Sequence, residues 1–579
     1  MGNDTVDQAI ITGFLGGHEV IPLGILHHLL QRLMAALRHN AVQIFLDLDD
    51  AVSMDLDIGG LTLQPAQQRL VDHDLAIGQR QALAGGACAQ QERAHGRRHA
   101  EIGEEFRSYL KQLAATLSFY KINQLQLYIE HSYLFDDLTE MWRDDTPLTA
   151  EDILELDRYC KGLGIDLVPS LASFGHLYKL LCTKSYAHLC ELEGSASAPF
   201  SFYDRQAHHT LDITNPESLS LAKHILSEYM QLFSSKYFNL CADETFDLGK
   251  GASRALAEEK GTTVIYTEFV TELANYITES GRTPMFWSDV ISQEPEAYHL
   301  LPKNLICLHW DYASNVSSER LTRLANSGAE HLYVCPGVQG WNQLINKYHE
   351  AYENISRMAR YGHECHAMGL LNTDWGDYGH INHPDFSRIG MIYGAAFSWN
   401  ADILPEEEIN RQISVLEFGD ASGKLVSVLD LLCHQDAYPW RTAVMVQEAL
   451  ELHQDKEEAA ELLRSCAEGD ADAANASIDA LCAVLYEKAG TVRPEMIYAY
   501  LLAADGLKVL NRLLPFLRAS LLSEGTLPEK EDCFALAGDL ERWLHSYKEL
   551  WRTVSKESEL YRIAHVFCWY ADLLRDLNA

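Results

Sequence analysis

The sequence predicts an α/β fold, namely a (β/α)8 barrel of the TIM type followed by an all-helical C-terminal domain. Between residues 109 and 400, seven apolar runs of strand length alternate with segments of helical periodicity, which is typical of parallel βα units. Beyond residue 405, glycine and proline become rare and long amphipathic patterns follow. The chain, at 579 residues, is also too long for a single compact core.

The predicted boundaries divide the chain into an N-terminal segment over 1–107, the barrel over 108–404 and the helical domain over 405–579. The first 108 residues contain no Tyr, Lys or Trp, whereas the remainder holds all 27 Tyr and all 10 Trp. Two interpretations of the N-terminal segment stay open: a small α/β domain, or a mis-framed or foreign coding segment. The helical domain is expected to cover the barrel or to form a homodimer interface.

The seven predicted strands follow one another at the spacing of βα units. They are 123–131, 164–171, 236–242, 283–289, 304–310, 331–337 and 369–375. A helix is predicted between two of them over 215–233, because Asn215 suits the N-cap and Pro216 suits the first turn. One of the eight strands of the barrel is not assigned.

Composition excludes several classes of partner. Acidic residues outnumber basic ones, 83 to 46, and give a formal net charge of −37. Nucleic acid and anionic membranes are therefore not expected as partners, since a phosphate-binding surface needs clustered Lys and Arg. The 13 cysteines include no CxxC pair, so neither a zinc ribbon nor a disulfide framework is expected. With no secretory signal pattern and no bilayer-spanning apolar run, we expect a cytoplasmic protein.

The carboxyl ends of the strands are where barrel enzymes carry their chemistry. Here these ends hold aromatic, acidic and histidine side chains: Glu130, His131, His176, Asp243, Glu244, Trp287, Asp289, Trp310, Asp311, Trp341, Trp375 and Asp377. Flat rings stack on the apolar face of a pyranose, and carboxylates accept hydrogen bonds from its hydroxyls. A single tryptophan is more often a core residue, but tryptophans at the ends of several strands favour a sugar-binding site.

Asp243 and Glu244 directly follow a predicted buried strand, where an unpaired charge is costly. Neighbouring side chains diverge on an extended strand, so we expect the two carboxylates to address different atoms. Glycosidases usually take their two carboxylates from different elements on opposite sides of the scissile bond. An adjacent pair is better explained if the nucleophile is a 2-acetamido group of the substrate, oriented by Asp243, while Glu244 protonates the glycosidic oxygen.

In combination, the motifs between about 110 and 400 resemble those of the family 20 glycoside hydrolases, the exo-acting β-N-acetylhexosaminidases. The stretches that carry the resemblance are YKINQLQLYIEH, GIDLVPSLASFGH, NPESLSLAKHILSEYMQLFSSKYFNLCADE, MFWSD and LLNTDWGD. The resemblance implies a retaining enzyme that removes terminal β-GlcNAc or β-GalNAc from oligosaccharides or glycoconjugates. It also implies an oxazoline-like intermediate and no metal or organic cofactor.

The resemblance further implies a role for each candidate residue. Asp243 would orient the acetamido group, and Glu244 would act as general acid and then as general base. The remaining candidates would bind the substrate: Trp287, Trp310 and Trp375 as walls of the pocket, Asp377 as a partner of outer hydroxyls, His131 and His176 at the strand ends, and Trp341 as the counterpart of the family's acetamido-binding tyrosine.

Three departures from the family pattern suggest a divergent branch. Asn239, Cys241 and Ala242 replace the first residues of a His-x-Gly-Gly-Asp-Glu motif. Ser170 and Ala172 stand where acids often precede the Gly-His of the third strand. The family's first strand, with an arginine that clamps the sugar, is not visible before the helix expected over 108–119.

Two other functions remain open. One is a retaining glycosidase whose nucleophile and acid are separate carboxylates, such as Glu244 and Asp377. The other is a carbohydrate-binding protein that kept the pocket and lost catalysis.

Overall fold

A computed structural model describes residues 105–400, 403–466, 471–488, 494–526 and 528–577. The interpretation of the N-terminal segment and the expected place of the first barrel strand lie outside the described residues, apart from 105–107. The described residues belong to one compact unit.

Seven parallel strands form one sheet, in which each strand pairs with those that precede and follow it in the sequence. They are β1 (Gln124–Ile129), β2 (Asp166–Leu171), β3 (Tyr237–Asn239), β4 (Thr283–Trp287), β5 (Ile306–Trp310), β6 (Leu332–Cys335) and β7 (Gly369–Leu370). All seven predicted strands are therefore confirmed, and their sequential parallel order is that of a (β/α)8 barrel. The part of the chain that the structure describes contains no eighth strand.

Helices connect the consecutive strands, as expected for βα units. A helix over 105–119 precedes β1. The others in the barrel region are Thr139–Trp142, Ala150–Gly162, Tyr178–Leu181, Phe202–Ala207, Pro216–Met230, Arg254–Lys260, Thr262–Glu279, Asp289–Gln293, Glu319–Asn326, Tyr348–Glu364 and Arg388–Trp399. The helix predicted over 215–233 is confirmed: the Asn215 side chain accepts the Glu217 N–H at 3.0 Å and caps it.

The C-terminal region is helical wherever it is described, as predicted. Its α-helices are Glu406–Phe418, Leu425–Cys433, Trp440–Glu451, Lys456–Ser465, Ala471–Glu487, Pro494–Leu517, Lys530–Val554 and Leu560–Asp576. The last two are separated at Glu559, whose φ of 68° lies in the left-handed region and cannot continue a right-handed helix. Within the described ranges, no helix combines the length and the apolar character needed to span a membrane.

The strands present alternate side chains to two apolar clusters. Met285 and Trp287 of β4 pack with Leu308 of β5 in a cluster on one face of the sheet. Phe286, between the first two, packs instead in a cluster shared with the surrounding helices. Trp310 continues the series of Leu308 at a spacing of two and contacts the first cluster. The alternation therefore places tryptophans from β4 and β5 on the same face of the sheet.

All seven strands are shorter than predicted, and the difference matters most at β3. The prediction placed a strand over 236–242, whereas β3 ends at Asn239. Cys241, Ala242 and Glu244 have φ values of 61°, 64° and 47°, in the left-handed region that a strand residue does not adopt. The two adjacent carboxylates therefore belong to a tight turn and not to an extended strand end.

Candidate active site

The side chain of Asn239, the last residue of β3, stabilises the turn that follows this strand. Its Oδ1 accepts the Cys241 N–H at 3.0 Å, and its Nδ2 donates to Gln126 Oε1 at 3.1 Å and to Ser170 Oγ at 3.2 Å. Asn239 and Ser170 are buried. A buried polar network with its partners in place fixes the backbone that it supports. Asn239 and Ser170, two of the departures from the family pattern, thus act together as a neutral support for the turn.

Gly175 allows the loop after β2 to approach this turn closely. A Cβ atom at Gly175 would lie only 2.6 Å from the backbone oxygen of Asp243, so glycine alone fits there. The next residue, His176, has a φ of 58°. The close approach brings the His176 ring to the two carboxylates.

His176 Nε2 lies 3.5 Å from Asp243 Oδ2 and 3.4 Å from Glu244 Oε2. Burial lowers the pKa of His176, but Asp243, the hydrogen bonds to both carboxylates and Glu130 raise it, with a net increase well above its ordinary value. The ring is therefore a cation between two acids. One nitrogen, His176 Nε2, thus lies within 3.5 Å of both carboxylates, and which substrate atoms the two carboxylates address stays a prediction.

The two carboxylates differ in exposure. The side chain of Asp243 is 12% exposed, whereas that of Glu244 is 30% exposed. The more exposed acid can reach a departing group at the mouth of a pocket, and the more buried one can hold a group inside it. The structure thus gives the pair two unequal positions.

Asp289 is a third carboxyl group at this turn. Its Oδ2 accepts the backbone N–H of Glu244 at 3.0 Å, which fixes the left-handed residue. Burial, together with the charge of Asp243, raises the pKa of Asp289 to about 8. Asp289 is therefore largely uncharged at pH 7, so it accepts this hydrogen bond without adding a third full negative charge.

The raised pKa of Asp289 predicts a pH-dependent effect on stability. Between its unfolded pKa of about 4 and its folded pKa of about 8, the folded state binds more protons than the unfolded state. Its contribution to stability is therefore complete below the lower value and is lost as the pH rises through the upper one. An Asp289→Asn variant lacks this titration, so its free energy of unfolding relative to wild type should rise between pH 5 and 9 in urea titrations. A difference that is constant over this range would contradict the assignment.

The left-handed backbone at Ala242 predicts an unusually small cost of substitution by glycine. An L-residue in this region costs roughly 1–2 kcal/mol, a cost that glycine does not have. Ala242 is also buried, so we expect relief of this cost to offset the lost methyl and the entropy of glycine, leaving the free energy of unfolding of Ala242→Gly within about 1 kcal/mol of wild type. The matched control is Ala172→Gly, at an equally buried alanine outside the left-handed region, which should lower stability by about 1–2 kcal/mol. Equal losses in both variants would show that residue 242 is not strained.

Aromatic rings form a contiguous group beside the carboxylates. Trp287 and Trp375 pack edge to face with centroids 5.6 Å apart. Trp310 stacks on Tyr312 at 5.1 Å, and Trp341 contacts the same tyrosine at 5.0 Å. Flat apolar walls of this kind suit the apolar face of a sugar ring. The structure thus brings the four predicted tryptophans into one group, with Tyr312 at its centre.

Tyr312 is a site residue that sequence reasoning missed. The indole N–H of Trp375 donates to the Tyr312 hydroxyl oxygen at 2.8 Å, and the hydroxyl is also hydrogen-bonded to the side chain of Thr373. A usable signal was present, because Tyr312 follows Trp310 by two residues, the spacing of side chains on one side of an extended segment. Trp341, the predicted counterpart of the family's acetamido-binding tyrosine, contacts Tyr312.

A partly buried ionic network adjoins the turn that carries Asp243 and Glu244. Arg205 donates through Nη2 to Glu130 Oε2 and through Nη1 to Glu559 Oε2, each at 3.0 Å. His131 lies between the same two acids, 3.7 Å from Glu130 Oε2 and 3.5 Å from Glu559 Oε1. Burial raises the pKa of Glu130, but Arg205, His176 and His131 lower it below its ordinary value. Glu130 is thus an anion, and it connects this network to the cation beside the two catalytic candidates.

Asp377 belongs to the same electrostatic environment. Burial raises its pKa to about 6; the charges of Glu244 and Glu130 act in the same direction, whereas His176 and Arg205 oppose them. Asp377 therefore carries a negative charge at neutral pH within reach of the field of Glu244.

The clusters that could hold a metal ion are elsewhere in the described part of the chain and contain none of the predicted site residues: Asp430, Cys433 and His434, and Asp137, His224 and Glu228.

Comparisons with known proteins identify a family that is similar to part of this chain. Residues 105–363 match the model of glycosyl hydrolase family 20, catalytic domain. The chain is 26% identical over 237 residues to a lacto-N-biosidase of Bifidobacterium bifidum, a match covering 39% of this chain and 18% of that protein. It is 22% identical over 296 residues to hexosaminidase D of Bos taurus, covering 47% and 81% of the two chains.

Among solved structures, the chain is similar to the β-N-acetylhexosaminidase of Bacteroides fragilis. Its TM-score is 0.43 at 18% identity, over 54% of this chain and 67% of that one. The family match begins at the helix before β1 and includes the turn with Asp243 and Glu244 as well as Trp287, Trp310 and Trp341. Residues 105–363 are thus similar to the catalytic domain of glycosyl hydrolase family 20, the family that the sequence motifs resemble.

Proposed function

We propose that the protein is a retaining exo-β-N-acetylhexosaminidase that removes terminal β-GlcNAc, or β-GalNAc, from an oligosaccharide or glycoconjugate. The observation that carries the proposal is the adjacent pair Asp243 and Glu244, unequal in exposure and joined by the His176 ring. The match of residues 105–363 to the catalytic-domain model of glycosyl hydrolase family 20 supports it. A cytoplasmic location and a homodimer remain predictions from the sequence.

In this mechanism the substrate supplies the nucleophile. Asp243 accepts a hydrogen bond from the acetamido N–H and orients its carbonyl oxygen toward the anomeric carbon. The bond from this oxygen to the anomeric carbon forms as the glycosidic bond breaks, and Glu244 gives its proton to the leaving oxygen. Water then adds to the anomeric carbon, returning a proton to Glu244 and reopening the oxazoline ring. Two inversions at one carbon amount to retention.

The surrounding residues have roles consistent with this reaction. Trp287, Trp310 and Trp375 form the walls for the sugar and its acetamido group, and Asp377 accepts from outer hydroxyls. The Tyr312 hydroxyl, whose oxygen already accepts the Trp375 N–H at 2.8 Å, is the proposed donor to the acetamido carbonyl oxygen. A hydrogen bond to an oxygen that develops charge in the transition state lowers the barrier.

Hydrolysis of paired aryl glycosides tests the proposal. The enzyme should hydrolyse an aryl β-GlcNAc and leave an aryl β-glucoside intact, because only the former carries the internal nucleophile. Comparable turnover of both would favour a retaining glycosidase with separate carboxylates, such as Glu244 and Asp377. Binding of GlcNAc without turnover by the intact protein would favour a carbohydrate-binding protein.

A further inference from the structure

The helical C-terminal region contacts the segment that carries Arg205. Arg205 lies on the short helix Phe202–Ala207, which follows the loop after β2. Glu448, on the helix Trp440–Glu451, accepts the Phe202 N–H at 2.6 Å and the Ser201 hydroxyl at 2.9 Å. These bonds satisfy donors at the start of the short helix and fix its direction.

The same region contacts the segment that carries Asp377. The indole of Trp440 donates to the backbone oxygen of Tyr378 at 2.9 Å. A Cβ atom on Gly379 would lie 2.9 Å from Ile563 Cγ1, so the backbone at Gly379 packs closely against the helix Leu560–Asp576. Arg205 and Asp377 are therefore both held from the helical region.

Glu559 extends this support into the ionic network of the site. It is the left-handed residue that separates the helices Lys530–Val554 and Leu560–Asp576, and its side chain is 17% exposed. Burial raises the pKa of Glu559, but Arg205, His131 and Arg562 lower it well below its ordinary value. Glu559 is thus a partly buried anion from the helical region that binds Arg205 and lies beside His131.

We propose that Glu559 is a positioning residue of the active site, which holds Arg205 where its guanidinium contacts ring hydroxyls of the bound sugar. This inference rests on the proposed function. Arg205 has five N–H groups, and its bonds to Glu559 and Glu130 leave others for a ligand. A sugar hydroxyl both donates and accepts, so the cation of Arg205 and the anion of Asp377 together suit it.

Removal of the Glu559 charge would change the position of Arg205. Its guanidinium is shared between Glu559 and Glu130, at 3.0 Å from each. With one partner gone, the cation turns toward its remaining acidic neighbours, because an uncompensated buried charge is strongly unfavourable. Sugar hydroxyls would then lose a donor, although neither Asp243 nor Glu244 is altered.

Deoxy analogues of an aryl β-GlcNAc test this role. We would measure kcat/KM for the 3-, 4- and 6-deoxy compounds against the parent, well below the unfolding temperature. In the wild type, loss of the hydroxyl that Arg205 contacts should lower kcat/KM by about tenfold. In Glu559→Gln this penalty should shrink to about threefold or less, because the contact is already lost. The matched control is Glu541→Gln, which removes a carboxylate from an exposed ion pair with Arg575 in the same region and should keep the full penalty.

The outcomes separate a role in the site from a structural role. If Glu559→Gln lowers all activities equally and keeps the full deoxy penalty, Glu559 only ties the helical region to the barrel and the inference is overturned. Should Glu559→Gln not fold, Glu559→Asp keeps the charge but withdraws it by one methylene, and the same reduction of the penalty is expected. If the wild type hydrolyses no aryl β-GlcNAc, the proposed function itself is overturned. If the wild type is active but Glu559→Gln keeps the full deoxy penalty, only the role of Glu559 is overturned.

Discussion

Replacement of Glu244 by glutamine is expected to lower kcat by about 10²–10⁴-fold on substrates with poor leaving groups. Glutamine keeps the shape of the side chain but cannot donate the proton that the departing oxygen needs. The loss should be much smaller for an aryl leaving group of low pKa, which departs without protonation. Measurement of kcat across a series of aryl β-GlcNAc substrates, at one pH, gives the dependence on leaving-group pKa.

Two further measurements make this prediction specific to Glu244. Added azide should restore turnover to Glu244→Ala and yield the β-glycosyl azide, because azide is already an anion and attacks the anomeric carbon of the intermediate without a general base. The control is Glu258→Gln, at an exposed position on the helix Arg254–Lys260, which should leave kcat unchanged. A uniform loss across all leaving groups, or an α-azide product, would contradict the role of Glu244 as acid and base.

Replacement of Asp243 by asparagine should lower kcat by about 10²–10³-fold on every acetamido substrate, whatever its leaving group. The buried carboxylate stabilises the positive charge that develops on the acetamido nitrogen as its carbonyl oxygen attacks. Asparagine is neutral and can present its own N–H to the substrate, so it removes this stabilisation. The same leaving-group series therefore distinguishes the two variants: a steep dependence for Glu244→Gln and a flat loss for Asp243→Asn.

One result for Asp243→Asn would contradict the role proposed for Asp243. If Asp243→Asn kept activity within about twofold of wild type, the substrate would not depend on this carboxylate for its internal nucleophile. Asp243→Asn also removes one of the two carboxylates that contact the His176 ring and leaves Glu244 as the other. Circular dichroism and thermal unfolding of the variant show whether the turn is preserved.

Much of the fold could be predicted from the sequence because the strands are buried and short. Each apolar run of the parallel sheet is bounded by a helix of clear periodicity, so all seven strands were recognisable. The end of β3 was not, because Cys241 and Ala242 carry none of the glycine signal that usually marks a left-handed backbone. The positions of Trp287 and Trp310 could also be predicted, because both continue the alternating series of side chains on the same face of the sheet.

The remainder of the site depends on contacts that no local pattern encodes. Arg205 lies in a loop helix, and its partner Glu559 is 354 positions away, in a region for which only covering or dimer-forming roles were predicted. Nothing in the residues around either one marks it as part of a sugar site. Asp289 could be placed at a strand end from the sequence. Its hydrogen bond with the Glu244 backbone could not be predicted, because it depends on the left-handed turn after β3.

The stereochemistry of the product tests the central claim most directly. Proton NMR of the first minutes of aryl β-GlcNAc hydrolysis, before mutarotation, identifies the anomer that leaves the enzyme. Internal attack by the acetamido oxygen followed by water predicts that β-GlcNAc forms first. Initial formation of α-GlcNAc would mean a single inverting displacement by water and would contradict the roles proposed for Asp243 and Glu244.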